Sequence, residues 1–398
     1  MEIVSREETS EDRYSRFRLI PWWDQSRIAE CRILVIGAGA LGNEILKNLA
    51  LLGFRNVVIV DSDRVEVTNL SRTVLYRAED IGELKAAVAA RAYCNLASHA
   101  RVQPIAANVV QGCGLGLFEW ADLILAGLDN REARLWINRA AWKMGRPWID
   151  GAIEGINGVA RVFLPNQAPC YECTLGEVDW SILNRRMSCN LLVHRADSEG
   201  KVPTTPTISS IIAGIQVQEA VKLLHKLPTL AGRGFVFEGL NHTSYTVEYT
   251  ENPECMSHYT LPKLIRLEQP SSSVSPRDVL DRARQDLAAQ EAVLEFSREV
   301  IHRLVCPECG EAEELFAPVG SIFFDQAKCA KDGHNRIVET IHGFAGHERW
   351  GSRMFDQLGL PPFDVVTARS LDHEIGYLFA GDSQGVLGVL AADGSANR

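Results

Sequence analysis

The sequence has no long apolar run and no long basic run. No apolar stretch approaches the length that a membrane-spanning helix needs, so a membrane protein or membrane partner is not expected. The formal net charge of −10, with no basic run to offset it, argues against general nucleic-acid binding. The N-terminal stretch also lacks the charged, apolar and small-residue layout of a secretory signal. We therefore expect the ten cysteines to be reduced, in a cytoplasmic protein, rather than paired in disulfides.

A glycine-rich turn lies between a short apolar run and a helical pattern. Residues 33–36 are all apolar and predict a buried strand, and the apolar residues after Gly42 have helical spacing. The turn contains Gly37, Gly39 and Gly42. Glycines let a backbone approach phosphate closely, and a helix N-terminus offers unpaired N–H groups to an anion. The pattern predicts a nucleotide-binding turn in a Rossmann-like, doubly wound α/β sheet.

A polar segment at residues 61–72 follows the next apolar strand. Asp61 stands where a Rossmann-type fold places an acid that binds ribose hydroxyls, which by itself is typical of a dehydrogenase. However, Asn69, Arg72 and Lys85 add amide and positive groups that can surround a polyphosphate. A dinucleotide has no terminal phosphates that need such groups. The pattern therefore favours ATP.

These motifs, in this order, resemble the ubiquitin-activating-enzyme superfamily, which includes the sulfur-carrier activators ThiF and MoeB and the activators of protein modifiers. The resemblance covers roughly residues 10–260. It includes an Arg-Tyr-x-Arg signature at residues 13–16, the glycine turn at 37–42 and an Asp-x-Asp-x-Val-x-x-x-Asn-Leu-x-Arg segment at 61–72. Lys85 and a Leu-Asp-Asn sequence at 128–130 complete the set. The resemblance implies a ThiF/MoeB-type adenylation domain.

The reaction that the family implies is adenylation of a small protein's C-terminal carboxylate, with magnesium ATP consumed and pyrophosphate released. Arg72 and Lys85 can stabilise the charge that moves onto the leaving pyrophosphate. The resemblance assigns Asp129 to magnesium, although an isolated Asp-Asn pair is more typical of a helix N-cap. The residues that the resemblance implies for ATP are Gly37, Gly39, Gly42, Asp61, Asp63, Asn69, Arg72 and Lys85.

Arg16 lies in a charged N-terminal stretch, where an arginine is ordinarily solvated. In the family, the equivalent arginine reaches into the site of the other subunit. The resemblance therefore implies a homodimer in which Arg16 has a catalytic role, since an arginine supplied from another subunit can complete a phosphate-transfer site.

Spaced cysteines predict zinc, because such pairs in a reduced protein are typical of metal ligands. Cys170 and Cys173 form one pair, and the partner pair is either Cys255 with His258 or the Cys-Pro-Glu-Cys sequence at 306–309. The resemblance favours the former, because the family's second zinc pair follows a strand-rich segment after a long helix.

This assignment leaves the 306–309 pair to form a second site, similar to a zinc ribbon, in the C-terminal extension. Pairing 306–309 with the first two cysteines instead would leave the remaining Cys and His residues unexplained. Four protein ligands leave no open position for substrate, so both sites are expected to be structural. The two predicted ligand sets are Cys170, Cys173, Cys255 and His258, and Cys306, Cys309, Cys329 and His334.

Cys189 stands apart from these pairs, shortly before a Pro-Thr-Thr-Pro turn at 203–206. In modifier activators a catalytic cysteine precedes such a turn and the helix after it. Arg185 and Arg186 can favour the thiolate and attract an anionic acyl adenylate. The resemblance implies a thioester on Cys189 and transfer to a conjugating enzyme. Sulfur-carrier activators often keep a cysteine here without needing it.

The domain organisation is predicted from composition. Residues 1–261 form the adenylation domain, with a cysteine loop at about 174–205, and a Ser/Pro-rich linker covers 262–276. The C-terminal extension, 277–398, is predicted to contain an amphipathic helix over 277–304, a zinc ribbon over 305–336 and a small mixed module. The extension has no sulfurtransferase signature and is interpreted as a docking platform for a ubiquitin-like protein or a conjugating enzyme.

The predicted function is ATP-dependent activation of a ubiquitin-like protein through a thioester. The alternative is a MoeB/ThiF-like sulfur-carrier adenylyltransferase without an obligatory thioester. A non-catalytic subunit is disfavoured because Asp61, Arg72, Lys85 and Asp129 are all present. The compact size and the merged cysteine loop resemble activators encoded in bacterial ubiquitin-like conjugation operons, some of them tied to defence against phage.

Overall fold

The computed structural model describes residues 11–167, 169–188 and 203–394. Within these ranges no helix combines the length and the apolar character needed to cross a membrane. Cys189, the predicted nucleophile, lies outside the described residues.

The N-terminal unit alternates strands and helices and then ends in an antiparallel return. Its strands are β1 (Arg32–Ile36), β2 (Asn56–Val60), β3 (Arg101–Ile105), β4 (Leu123–Ala126), β5 (Trp148–Glu154), β6 (Asn157–Phe163), β7 (Arg233–Glu238) and β8 (Thr243–Glu248). Its helices are α1 (Gln25–Glu30), α2 (Ala40–Leu52), α3 (Lys85–Leu96), α4 (Val109–Gly112), α5 (Leu115–Trp120), α6 (Arg131–Lys143), α7 (Glu177–Ser188) and α8 (Pro206–Leu224).

The eight described strands of this unit form one sheet in the order β3-β2-β1-β4-β5-β6-β7-β8. Strands β1 to β5 pair in parallel, and β6 to β8 pair antiparallel. Alternate residues of β1 enter two different cores. Ile33 and Val35 pack in the core that includes α2 and α8, whereas Leu34 and Ile36 pack in the core that includes α5 and α6. The sheet is therefore covered on both faces, as parallel sheets require.

From β1 the chain adds β2 and β3 on one side of the sheet, and it then adds β4 and β5 on the other side of β1. The connections that leave the carboxyl ends of β1 and β4 consequently diverge and open a crevice at that edge of the sheet. In doubly wound α/β folds, ligands bind in this crevice.

The C-terminal unit is built around a second, mixed sheet. Its strands are β9 (Leu264–Leu267), β10 (Val293–Val305), β11 (Ala312–Pro318), β12 (Ile337–Phe344), β13 (Val365–Arg369) and β14 (Glu374–Phe379), and its helices are α9 (Pro276–Asp286) and α10 (Ser383–Leu387). The strands are ordered β11-β10-β13-β14-β9, and β12 also pairs with β10.

Two sequence predictions for this region are wrong. The expected linker at 262–276 contains β9, which pairs in parallel with β14. The expected helix over 277–304 ends at Asp286, because Ala288 adopts a left-handed conformation with φ of 52°. The remainder of that segment begins the long strand β10, whose β-branched Val293, Val300 and Ile301 favour extended backbone.

The two units share one apolar core. Phe363, Val365 and Leu378 of the C-terminal unit belong to the same buried cluster as Phe118 and Trp148 of the N-terminal unit. The contact is close at α5, where the backbone N–H of Gly116 donates to the carbonyl of Phe363 at 2.9 Å. A Cβ atom on Gly116 would lie 2.4 Å from that oxygen, so glycine is required there.

Candidate functional site

A cleft of about 560 Å³ opens at the carboxyl ends of β1, β2 and β4. The structure places most of the predicted nucleotide-binding residues along its walls, although they come from five separate segments of the chain. The predicted residues that line the cleft are Gly37, Gly39, Asp61, Asp63, Asn69, Arg72, Lys85 and Asp129.

The backbone geometry of the turn after β1 requires glycine at two positions. Gly37 has φ of 93°, and a Cβ atom there would lie 2.5 Å from the carbonyl oxygen of Gly127. Gly42 faces away from the cleft walls and packs on the turn itself, since a Cβ atom at this position would lie 1.9 Å from the Gly37 oxygen. Gly39 is the N-cap of α2 and provides no side-chain cap. The first N–H groups of α2 therefore stay available to an anion in the cleft.

Asp61 is held rigidly at the end of β2. Its carboxylate accepts hydrogen bonds from the backbone N–H groups of Ala38, at 2.7 Å, and Asp63, at 2.8 Å. Burial raises the pKa of Asp61 above its ordinary value, while the two backbone donors and the nearby Lys85 oppose this shift. The carboxylate is thus oriented toward the cleft and can accept further hydrogen bonds.

Positive charge enters the cleft from Lys85 and Arg72. The Lys85 ammonium lies 2.8 Å from the Asp63 carboxylate, and its side chain is only 12% exposed. Arg72 donates to the carbonyl of Thr68 at 2.6 Å. The Asn69 side chain is buried and accepts a hydrogen bond from the Glu66 N–H, which fixes the short helical turn that carries Arg72. This local turn explains the spacing between Asn69 and Arg72 in the sequence.

Asp129 lies at the carboxyl end of β4 with its side chain exposed. The sequence also allowed Asp129 to be a helix N-cap, but the N-cap of α6 is Asn130. The Asn130 Oδ1 accepts a hydrogen bond from the N–H of Ala133 at 2.8 Å. The Asp129 carboxylate therefore faces the cleft as an oxygen donor, and it fits a magnesium ion bound together with phosphate.

The cleft also contains polar residues to which the sequence motifs assign no role, and Thr204 is one of them. Thr204 lines the cleft, and its buried Oγ1 has no hydrogen-bond partner within the described parts of the chain. A buried hydroxyl without a partner is costly, so a ligand atom is an attractive partner for it. In the sequence, the Pro-Thr-Thr-Pro turn indicates only the position of the proposed catalytic Cys189 and predicts no contact with a ligand.

Arg16 is exposed and, in the part of the chain that is described, does not belong to the lining of the cleft. Its own subunit therefore does not bring it to the other predicted residues.

A second cavity of about 580 Å³ adjoins the cleft and shares Leu128, Asp129 and Ile153 with it. Beneath its floor, the fully buried Asp150 binds two arginines that also line the cavity. Arg134 Nε lies 2.8 Å and Arg161 Nε 3.0 Å from the Asp150 oxygens.

Burial by itself would raise the pKa of Asp150, but the two guanidinium groups hold it below its ordinary value. This group of three charged residues is not among the predicted site residues. The available signal was an Asp inside an otherwise apolar strand, since buried acids need partners.

The first cysteine cluster contains the four residues assigned to it. The ligand atoms of Cys170, Cys173, Cys255 and His258 all lie within 4.8 Å of one another. The Cys170 and Cys255 sulfurs are 3.6 Å apart, and Cys173 Sγ lies 3.3 Å from His258 Nε2. Ligands about 2.3 Å from a tetrahedral zinc ion would be separated by about 3.8 Å. The cluster thus fits a zinc ion, and the alternative pairing with residues 306–309 is wrong.

The second cluster differs from its prediction in one member. Cys306, Cys309 and Cys329 lie together with Asp332, not with His334. The His334 side chain is 59% exposed, and its Nδ1 lies 3.3 Å from the Asp332 carboxylate.

The ThiF family model matches residues 12–257. The chain is 43% identical over 157 residues to the NEDD8-activating enzyme E1 catalytic subunit of Arabidopsis thaliana, a match that covers 36% of this chain and 34% of that protein. The chain therefore spans about a third of the length of that relative.

Two further relatives are matched over most of their length. The SAMP-activating enzyme E1 of Haloferax volcanii is 31% identical over 262 residues, which is 63% of this chain and 90% of that protein. The sulfur carrier protein adenylyltransferase of Thermus thermophilus is 29% identical over 259 residues, which is 61% of this chain and 89% of that protein.

Among solved structures, the E. coli MccB complex with ATP has a TM-score of 0.52 and 21% identity, covering 62% of this chain and 74% of that one. This likeness shows a shared fold. The family match, the two nearly full-length relatives and the fold lead to one conclusion: the chain belongs to the ThiF family.

Proposed function

We propose that the protein activates a ubiquitin-like or sulfur-carrier protein by ATP-dependent adenylation of its C-terminal carboxylate. The observation that carries this proposal is the cleft in which the glycine turn meets the carboxylates of Asp61, Asp63 and Asp129 and the cationic side chains of Arg72 and Lys85. The names of the relatives support it, because they are activating enzymes and adenylyltransferases.

The chemistry follows from the positions of these groups. An oxygen of the substrate carboxylate attacks the α-phosphorus of ATP, the bond to the pyrophosphate oxygen breaks, and an acyl adenylate forms. The N-terminus of α2 binds phosphate, and Asp61 accepts hydrogen bonds from ribose. Lys85 and Arg72 neutralise the charge that develops on the leaving pyrophosphate.

Asp129 would hold the magnesium ion that accompanies ATP. Its carboxylate is exposed at the cleft and is not used as a helix cap. When bound, the ion supplies positive charge to the phosphates.

We propose that the first cysteine cluster holds a structural zinc ion. Cys170 and Cys173 precede α7, whereas Cys255 and His258 lie between β8 and β9. The ion would therefore join the segment after β6 to the segment that leads into the C-terminal unit. Four protein ligands leave no position for substrate.

Arg16 is proposed to act from a second copy of the chain. It is exposed, and its own cleft does not include it among the described lining residues. A homodimer would let each copy supply an arginine to the other's phosphates.

After adenylation, we propose that the Cys189 thiolate attacks the acyl carbonyl, forming a thioester and releasing AMP, before transfer to a conjugating enzyme. Adenylation without a thioester is the second candidate. It is favoured by the Thermus thermophilus adenylyltransferase, which the chain matches over 89% of that protein's length.

Substituting Cys189→Ala separates these two candidates. The protein is incubated with ATP, magnesium and a ubiquitin-like or sulfur-carrier protein and analysed by intact mass spectrometry, with and without reductant. We expect a reductant-sensitive adduct that Cys189→Ala abolishes, while pyrophosphate exchange continues. Exchange without any thiol adduct in the unsubstituted protein would instead establish an adenylyltransferase. No exchange with any candidate carrier would contradict the proposed adenylation.

The C-terminal unit also supports the wall of the cleft. Arg298, on β10, is 8% exposed and donates to the carbonyls of Val110, in the first turn of α4, and Cys113, directly after that helix. Its guanidinium also lies 5.1 Å from the ring centre of Trp136 on α6. Both helices begin at the cleft, since Asn108 precedes α4 and Asn130 precedes α6.

We therefore expect Arg298→Met to raise the KM for ATP about tenfold, with a smaller effect on kcat, because small displacements of binding groups are costly. Pyrophosphate exchange at varied ATP concentration measures both constants. Arg303→Met is the control, since Arg303 lies on the same strand but makes a half-exposed ion pair with Glu339. An equal KM in the two folded variants would contradict this support role.

A further inference from the structure

We infer that the C-terminal unit binds its own structural zinc ion through Cys306, Cys309, Cys329 and Asp332. The four ligand atoms lie within 4.8 Å of one another. The Cys309 and Cys329 sulfurs are 3.7 Å apart, and Cys306 Sγ lies 3.3 Å from an Asp332 oxygen. In a tetrahedral zinc site, two sulfurs would be separated by about 3.8 Å and a sulfur and an oxygen by about 3.6 Å.

The turn that carries the first two ligands has a specific backbone geometry. The N–H of Cys306 donates to the carbonyl of Glu311 at 2.8 Å, and the N–H of Gly310 donates to the carbonyl of Cys306 at 3.0 Å. Gly310 has φ of 71°, which lets the chain reverse directly after Cys309. Both sulfurs are therefore presented to the same point.

The turn that carries the other two ligands repeats this geometry residue by residue. The N–H of Cys329 donates to the carbonyl of His334 at 2.8 Å, and the N–H of Gly333 donates to the carbonyl of Cys329 at 2.9 Å. Gly333 has φ of 74°. These two loops are distant in sequence, adopt the same backbone conformation and each have two residues between their ligands. This indicates a pair of turns shaped to bind one ion.

This repetition also identifies the fourth ligand. Asp332 occupies the position in its turn that Cys309 occupies in the other, whereas His334 corresponds to Glu311. Glu311 forms an ion pair with Lys331 at 3.2 Å and is not among the four residues whose ligand atoms all lie within 4.8 Å of one another. Glu311 and His334 therefore occupy equivalent positions that follow the ligands in their turns. The carboxylate of Asp332 completes the set of four zinc ligands.

Few fully buried apolar side chains support these two turns. The first turn joins β10 to β11, and the second precedes β12, which pairs with the other edge of β10. Beneath them lies a separate cluster whose buried members are Ile301, Leu304 and Ala327. Small units with so little core depend on a metal or on disulfides. Zinc would supply the missing constraint here.

The test is the zinc content of the full chain, measured by plasma mass spectrometry after purification. We expect two zinc ions per chain, one of which is lost in Cys309→Ser. The matched control His334→Ala is expected to retain both. A Cys173→Ser variant reports on the first cluster, so loss of an ion there is distinguishable from loss at this site.

Asp332→Cys provides a readout that does not depend on loss of folding. After exchange of zinc for cobalt(II), this variant should show more intense thiolate-to-metal absorption than the unsubstituted chain, because a fourth sulfur replaces an oxygen. The inference would be overturned if Cys309→Ser kept its full metal content, or if His334→Ala lost an ion. An unchanged cobalt spectrum in Asp332→Cys would likewise exclude Asp332 as a ligand.

Discussion

Replacing Lys85 with methionine is expected to slow ATP–pyrophosphate exchange about a hundred- to a thousandfold, the usual effect of losing one preorganised charge at a reacting phosphate. The side chain is 12% exposed and lies on the wall of the cleft, held by Asp63 at 2.8 Å. Methionine keeps the length and apolar stem of the side chain but cannot neutralise pyrophosphate. The exchange rate at saturating ATP measures the effect.

Lys47→Met is the matched control for this substitution. Lys47 also forms an ion pair with an acidic residue, Glu44, but it lies on α2 outside the lining of the cleft that the described residues form. It should leave the exchange rate of the folded variant within about twofold of the unsubstituted rate, because Lys47 does not line the cleft that the described residues form. If Lys85→Met also retained most of its exchange activity, the proposed role of Lys85 at the phosphates would be wrong.

The second large effect is on stability. Asp150→Asn should lower the free energy of unfolding by about 3–5 kcal/mol, because it leaves two buried guanidinium groups without their negative partner. Asp150 is fully buried, and Arg134 and Arg161 are 7% and 13% exposed. Urea denaturation measures this loss. The partly exposed pair of Arg131 and Asp179 provides the control, and Asp179→Asn should cost at most about 1 kcal/mol.

The difference in stability between the unsubstituted protein and Asp150→Asn should depend on pH in a definite direction. The pKa of Asp150 is lower in the folded protein than its ordinary value. Its ionised form therefore contributes stability at neutral pH that is lost as the pH falls through the lowered folded-state pKa. We expect the stability gap between the unsubstituted protein and Asp150→Asn to narrow in that acidic range. A gap that widened on acidification would show that the two arginines do not depend on this carboxylate.

The cleft could be predicted from the sequence because each of its groups follows a short local pattern. Gly37 and Asp61 come directly after buried strands, and parallel strands bring their carboxyl ends to one edge of the sheet. Local pattern and tertiary position therefore agree at these residues.

Other features depend on contacts that a local pattern does not contain. The choice of Asp332 over His334 depends on a backbone turn rather than on ligand chemistry, since histidine is the commoner zinc ligand. No local pattern distinguishes the strand β9 from a linker, because its only described strand partner, β14, lies more than a hundred residues later. The ion pairs of Asp150 are not predicted by a local pattern, because Arg134 and Arg161 are 16 and 11 residues away from it in the sequence.

The apolar core shared by the two units limits how this chain can be dissected. Phe363 and Leu378 cover Phe118 and its neighbours, so a chain cut after Pro270 would expose that surface to water. Loss of activity after such a truncation would report aggregation as readily as loss of a docking surface. A shortened chain would therefore need polar replacements on the buried face of α5. Partners of the extension are therefore better sought with substitutions on its outer face than with shortened chains.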